Sequence, residues 1–90
     1  IHVGVTRTEA GSRGMRPFLP EQALPLATAL AAYTAGSAWV NRWESGVLEP
    51  GRLADLAIAS RDPFAGAPEE IGDTTNDETW VGGRRVFVRE

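Results

Sequence analysis

The sequence predicts a small α+β unit in which two short helices precede a strand and a β-hairpin. Residues 25–43 are rich in alanine and have helical periodicity. Residues 53–59 (LADLAIA) are almost entirely apolar, and two glycines, Gly82 and Gly83, join two β-rich runs. Because three strands cannot close a barrel or a sandwich, and the apolar strand needs neighbours on both sides and both faces, we expect this sheet to be part of a larger one.

The two predicted helices cover residues 25–35 and 37–43. Alanine, the best helix former, fills much of this stretch. Pro25 suits the first turn of a helix, and Gly36 followed by Ser37 supplies a stop and a new N-cap. Residues spaced at i, i+4, i+7, i+11 and i+14 form one helical stripe. The stripe comprises Leu26, Leu30, Tyr33, Ser37 and Val40.

The first part of the chain predicts a strand and a loop. Residues 1–7 (IHVGVTR) alternate between apolar and polar, which indicates a short strand. Residues 8–20 are rich in glycine, arginine and proline and predict an irregular loop. Further on, residues 68–71 (PEEI) predict a single helical turn within a second polar loop.

The last part of the chain predicts two turns and a buried strand. Residues 49–51 (EPG) have the proline and glycine positions of a type II turn. Residues 53–59 are apolar on both faces, which is typical of a strand covered on both sides. Gly82 and Gly83 favour a two-residue hairpin turn, since that turn needs positive φ at both central positions.

Composition limits the classes of function. The chain has 90 residues, no cysteine and one histidine, so it offers neither a disulfide nor a multi-histidine metal site. A net charge of −3 argues against a nucleic-acid partner, because phosphate binding needs clustered positive charge. The longest mainly apolar run, residues 23–33, is much shorter than the roughly 20 residues of a membrane span. We therefore expect a cytoplasmic protein with no nucleic-acid or membrane partner.

Residues 45–58 (SGVLEPGRLADLAI) resemble a signature segment of the amidohydrolase superfamily, G-x-[LI]-x-x-G-x-x-A-D-[LF]-[VA]-[VI]. Residues 81–86 (VGGRRV) look like the closing hairpin of the same proteins. Residues 24–34 (LPLATALAAYT) are similar to the last barrel helices of amidohydrolase family 3, the branch that contains N-substituted formamide deformylases. Residues 5–7 (VTR) and residues 35–41 are similar to the same branch, and together these pieces follow the family's order over nearly the whole chain.

The resemblance implies an α/β parent protein, a TIM-barrel amidohydrolase with a composite β-sandwich. Residues 1–43 would be terminal helices and a loop of the barrel, and residues 44–90 would be C-terminal strands of the sandwich. It also implies hydrolysis of C–N bonds in amides or formamides with a divalent metal, zinc. The partners would be the remainder of the barrel and, in the intact enzyme, a small-molecule substrate. None of the family's metal ligands maps onto this chain.

We therefore predict no catalytic, cofactor-binding or metal-ligating residue in this chain. His2 lacks the partners that a metal site requires. Asp55 has two interpretations, a general base or a structural acceptor of backbone N–H groups. For the structural interpretation, which we favour, the expected partners are the turn at Pro50 and Gly51 or the side chain of Arg52.

Four other features have weaker functional interpretations. The acidic side chains do not follow the spacing of a calcium loop and predict a solvated loop instead. Residues 11–14 (GSRG) lack the lysine and spacing of a phosphate loop. If residues 6–20 border an active site, a loop arginine would contact an anionic substrate. The three tryptophans predict packing between helices and sandwich. The acidic residues are Glu69, Glu70, Asp73, Asp77 and Glu78. The loop arginines are Arg7, Arg13 and Arg16, and the tryptophans are Trp39, Trp43 and Trp80.

A different class of function stays open: a self-standing small α+β module that binds a partner through an apolar sheet face. Cooperative folding of the isolated chain would favour that module over a supporting segment of an enzyme.

Overall fold

The computed structural model describes residues 1–12 and 14–90. It divides into two compact units, one of Ile1–Leu30 with Arg61–Thr74 and one of Ala31–Ser60 with Thr75–Glu90. The α-helices are α1 (His2–Thr6), α2 (Leu26–Ala31) and α3 (Ser37–Val40), and the strands are β1 (Leu56–Ala59), β2 (Asn76–Val81) and β3 (Arg84–Val88). A π-helical segment covers Ala32–Gly36, and 3₁₀ helices cover Pro20–Gln22 and Pro68–Asp73.

Residues 2–6 form a helix, so the strand predicted over residues 1–7 is wrong. The Val5 amide donates to the Ile1 carbonyl at 3.0 Å. The Thr6 hydroxyl donates to the His2 carbonyl at 2.9 Å. Alternation over seven residues is weak evidence for a strand, because one helical turn and its side-chain bonds can override it. The turn predicted at residues 68–71 is confirmed and is longer than expected, since a 3₁₀ helix covers Pro68–Asp73. Helix α1 packs against this 3₁₀ helix.

Residues 26–40 form helical structure without the predicted stop at Gly36. Gly36 itself has helical angles, φ −65° and ψ −46°. A Cβ added there would lie 3.2 Å from the Ala31 carbonyl oxygen, so glycine eases the wider π turn. The interpretation as two separate helices is therefore wrong. The segment is one run with a π-helical middle.

The π-helical middle also explains why the predicted stripe is only partly correct. A π turn inserts one extra residue, which rotates the following positions by about 100°. Ala29 and Ala38 are buried, whereas Tyr33 and Val40 are 68% and 71% exposed. The two alanines thus form the covered positions in place of the larger apolar residues.

The three strands form one antiparallel sheet in the order β1-β2-β3. The hairpin prediction is confirmed: Gly82 and Gly83 have φ of 57° and 81° between β2 and β3. The type II turn is also confirmed, since Gly51 has φ 89° and the Arg52 amide donates to the Glu49 carbonyl at 3.1 Å.

The prediction of a buried strand at residues 53–59 is wrong for the chain as it stands. Strand β1 is shorter, forms an edge of the sheet and is mostly exposed, with Ile58 42% accessible. Its apolar pattern requires cover on both faces, and the described residues do not supply it.

The described residues bury very little apolar surface. Among residues 1–12 and 14–90, the buried apolar side chains are Ala29 and Ile71 in one unit and Ala38 in the other. Large apolar side chains in both units are exposed, including Phe18 at 69% and Leu48 at 68%. Among residues 1–12 and 14–90, no helix has the length and apolar character needed to cross a bilayer.

Candidate functional site

The candidate site with the clearest geometry is a clamp on the hairpin turn, formed by Ala54, Asp55, Gly82 and Gly83. The Gly82 amide donates to the Asp55 carboxylate oxygen Oδ1 at 2.8 Å. The Gly83 amide donates to the Ala54 carbonyl at 3.1 Å. Two consecutive backbone donors of the turn are therefore satisfied by two consecutive residues, which fixes the turn against the start of β1.

Asp55 is thus a structural acceptor, as predicted, but its expected partners are wrong. The donor is the hairpin turn and not the turn at Pro50 and Gly51. Arg52 donates instead to Glu49 at 2.9 Å. The reason lies in strand pairing: β1 runs antiparallel to β2, with Leu56 opposite Trp80, so the residues before β1 lie beside the end of β2. Only knowledge of that pairing could have identified Gly82 from the sequence.

The two glycines of the amidohydrolase-like segment have different roles. Gly46 has φ 87°, and a Cβ there would lie 2.6 Å from the Thr34 carbonyl oxygen and 3.0 Å from Ala38 Cβ. Gly51 has φ 89° in open space. Gly46 therefore allows the chain to pass close to the helical segment, while Gly51 only satisfies the backbone angles of its turn.

His2 is held in an orientation that does not suit a metal ligand. The Gly72 amide donates to His2 Nδ1 at 2.9 Å, so a neutral imidazole carries its proton on Nε2. In that tautomer Nδ1 accepts from Gly72 and Nε2 carries the proton, so neither ring nitrogen offers a free lone pair to a metal. A Cβ on Gly72 would lie 2.6 Å from Ala10 Cβ, so glycine permits this contact. The contact was not anticipated, because residues 2 and 72 are far apart in sequence.

The acidic residues are not gathered into a cation site. Glu69, Glu70 and Asp73 belong to one unit, and Asp77 and Glu78 belong to the other. Glu70 pairs with Arg61 at 2.9 Å, and Glu78 pairs with Arg85 at 3.3 Å. Within the part of the chain that the structure describes, no group of three histidine, cysteine or acidic side chains could hold a metal ion.

The arginine loop is closed at its base by Arg7 and Phe18. Arg7 Nε donates to the Phe18 carbonyl at 2.9 Å, and the Phe18 amide donates to the Arg7 carbonyl at 3.0 Å. The Arg7 guanidinium also lies over the Phe18 ring, 5.8 Å from its centroid. Arg16 lines a cleft together with Arg7, whereas Arg13 lies outside the described residues. The sequence offered no signal for the contact between Arg7 and Phe18.

Two of the tryptophans are not packed as predicted. Trp39 and Trp43 are 71% and 65% exposed and line a shallow groove of about 210 Å³. Trp80 is half-buried and donates from Nε1 to the Glu78 carboxylate at 3.3 Å. Within this chain, the packing expected of Trp39 and Trp43 is therefore absent.

The motif residues with the clearest geometry support turns, and one family of proteins matches nearly the whole chain. A family model described as Amidohydrolase family matches residues 1–87. The chain therefore belongs to the amidohydrolase family, within family 3. No curated protein and no solved structure gives a significant match to the chain.

Proposed function

We propose that this chain is the C-terminal supporting part of a metal-dependent hydrolase that cleaves C–N bonds, and that its own residues perform no catalytic step. The observation that carries the proposal is the clamp on the hairpin. The family-like segment has two acidic residues, and Glu49 pairs with Arg52 while Asp55 is committed to the Gly82 amide. A carboxylate that orders a turn contributes to stability and is poorly placed to act as a general base.

The exposed apolar surface supports the same proposal. The described residues include three buried apolar side chains and leave large groups such as Trp39, Val40 and Leu48 in contact with water. Burial of apolar area contributes about 25 cal/mol per Å², so covering these groups would add substantially to stability. Patches of this kind mark interaction surfaces. The occupant that we propose is the remainder of the hydrolase barrel.

The described residues do not fit the divalent metal of this proposal. Zinc would be held by other residues of the intact protein, and this chain contributes no ligand to it. The proposed substrates are small amides or N-substituted formamides. We propose no nucleic-acid partner, since the net charge of −3 is unfavourable for binding phosphate groups. The proposed location of the protein is the cytoplasm.

Formate release tests the activity. The protein as its gene encodes it should release formate from an N-substituted formamide, lose that activity in a chelator and regain it with zinc. Residues 1–90 alone should retain no zinc after dialysis. Hydrolysis that persists in the chelator would contradict the metal dependence, and stoichiometric zinc in residues 1–90 would contradict the supporting role.

Folding of the isolated chain separates the supporting role from a self-standing interaction module. With so small a core, residues 1–90 alone should show no sharp thermal transition. Cooperative unfolding together with dispersed amide NMR signals would favour the module instead.

A further inference from the structure

The cleft at the base of the arginine loop has the chemistry of a small anion site. It is lined by Arg7, Thr8, Glu9, Ser12, Met15 and Arg16 and has a volume of about 260 Å³. Two guanidinium groups and two hydroxyl-bearing residues are hydrogen-bond donors of the kind that bind carboxylates. We propose that this cleft binds the carboxylate of a small organic monoanion.

The first argument is that Arg7 is already fixed in place. Its Nε donates to the Phe18 carbonyl at 2.9 Å, and its guanidinium lies over the Phe18 ring. These contacts use one of the five N–H donors of the side chain and orient its plane. A guanidinium held in this way loses less conformational freedom when it binds a carboxylate.

The second argument comes from the other arginines of the chain. Arg52, Arg61, Arg85 and Arg89 all form ion pairs with carboxylates at 2.7 to 3.3 Å. Among the described residues, Arg7, Arg16, Arg42 and Arg84 have no such pair. Of these four arginines, Arg7 and Arg16 border the same cleft.

The third argument concerns the charge of the ligand. Glu9 also lines the cleft, so its lining carries two positive charges and one negative charge. This balance favours a ligand with one negative charge over phosphate, which carries more charge near neutral pH. Met15 adds an apolar wall that suits the body of an organic acid.

Calorimetric titration of the protein as its gene encodes it tests this site. Benzoate should bind saturably at constant ionic strength, and benzamide, which has the same shape without the charge, should bind at least about tenfold more weakly, since a charged hydrogen bond contributes about 1.5 kcal/mol or more. Arg16→Gln should weaken benzoate binding by a similar factor. The matched control is Arg84→Gln, which removes the same charge from β3 in the other unit and should leave binding unchanged.

The outcomes are decisive in either direction. Benzamide binding equal to benzoate binding would overturn the anion site, as would equal effects of Arg16→Gln and Arg84→Gln. Phosphate binding tighter than benzoate binding would overturn the assignment to carboxylates. Because the readout is heat of binding and not turnover, its failure is distinguishable from failure of the proposed hydrolase function.

Discussion

The hairpin turn at Gly82 and Gly83 and the loop closed by Arg7 and Phe18 both reverse the chain, but they are held in different ways. The hairpin is fixed by backbone donors that meet a carboxylate and a carbonyl in consecutive positions. The loop is closed at Arg7, whose backbone has φ 61°, by one backbone hydrogen bond from Phe18 and one hydrogen bond from the Arg7 side chain. The hairpin therefore depends on glycine at specific positions, whereas the loop uses a long side chain in addition to one backbone bond. Substitutions should affect the first much more than the second.

The largest effect is expected at Gly46, in the same family-like segment as Asp55. Gly46→Ala should lower the free energy of unfolding by about 3 kcal/mol, because it adds left-handed strain to a close contact with the Thr34 carbonyl. Gly51→Ala is the matched control, with φ 89° but open space, and should cost about 1 kcal/mol. Denaturant unfolding of the protein as its gene encodes it measures both. Equal losses would show that the close approach at Gly46 does not matter.

The hairpin turn itself should be nearly as sensitive. Replacing both Gly82 and Gly83 by valine should cost at least about 2 kcal/mol, since a β-branched residue at positive φ is strongly disfavoured. Space is not the reason, because a Cβ at Gly82 meets nothing within 4 Å. Gly82→Asn should cost little, as asparagine tolerates this region. A valine pair with unaltered stability in the same denaturant titration would remove the turn assignment.

Removing the carboxylate of the clamp should have an intermediate effect. Asp55→Ala leaves the Gly82 amide without its acceptor and should cost about 1 kcal/mol. Asp55→Asn keeps an acceptor oxygen and should cost less. The same unfolding measurement compares the two variants. An Asp55→Ala variant as stable as the unchanged protein would mean that the turn does not need the clamp.

These differences explain which features the sequence could predict. The turns at Gly51 and Gly82 depend on local backbone angles, and the glycines and Pro50 indicate those angles from the local sequence alone. The partner of Asp55, the contact of His2 with Gly72 and the π turn before Gly36 all depend on residues distant in sequence or on packing. The strand predicted at residues 1–7 failed because seven alternating residues do not outweigh one helical turn. The assignment of no catalytic residue and the division at residue 43 stay predictions.

The smallest effect is expected at the arginine loop. Arg7→Lys keeps the charge but loses the planar fork that donates to Phe18 and covers its ring, at a cost of about 0.5 kcal/mol. Amide exchange of Phe18 should become faster, since its N–H donates to the Arg7 carbonyl at the loop base. Arg84→Lys should leave this exchange unchanged. A loss as large as that of the valine pair would show that the two regions are equally rigid.

The claim that this chain supports the hydrolase and performs no catalytic step is tested most directly with the Gly82→Val, Gly83→Val double variant. The quantity to measure is its turnover per folded molecule. It should be measured in the protein as its gene encodes it, below the variant's unfolding transition. We expect a lower melting temperature with zinc content and turnover per folded molecule nearly unchanged, because in the proposed supporting role the hairpin orders a turn and contacts no substrate. Normal stability combined with lost turnover would place this hairpin in the active site and contradict the supporting role of the chain.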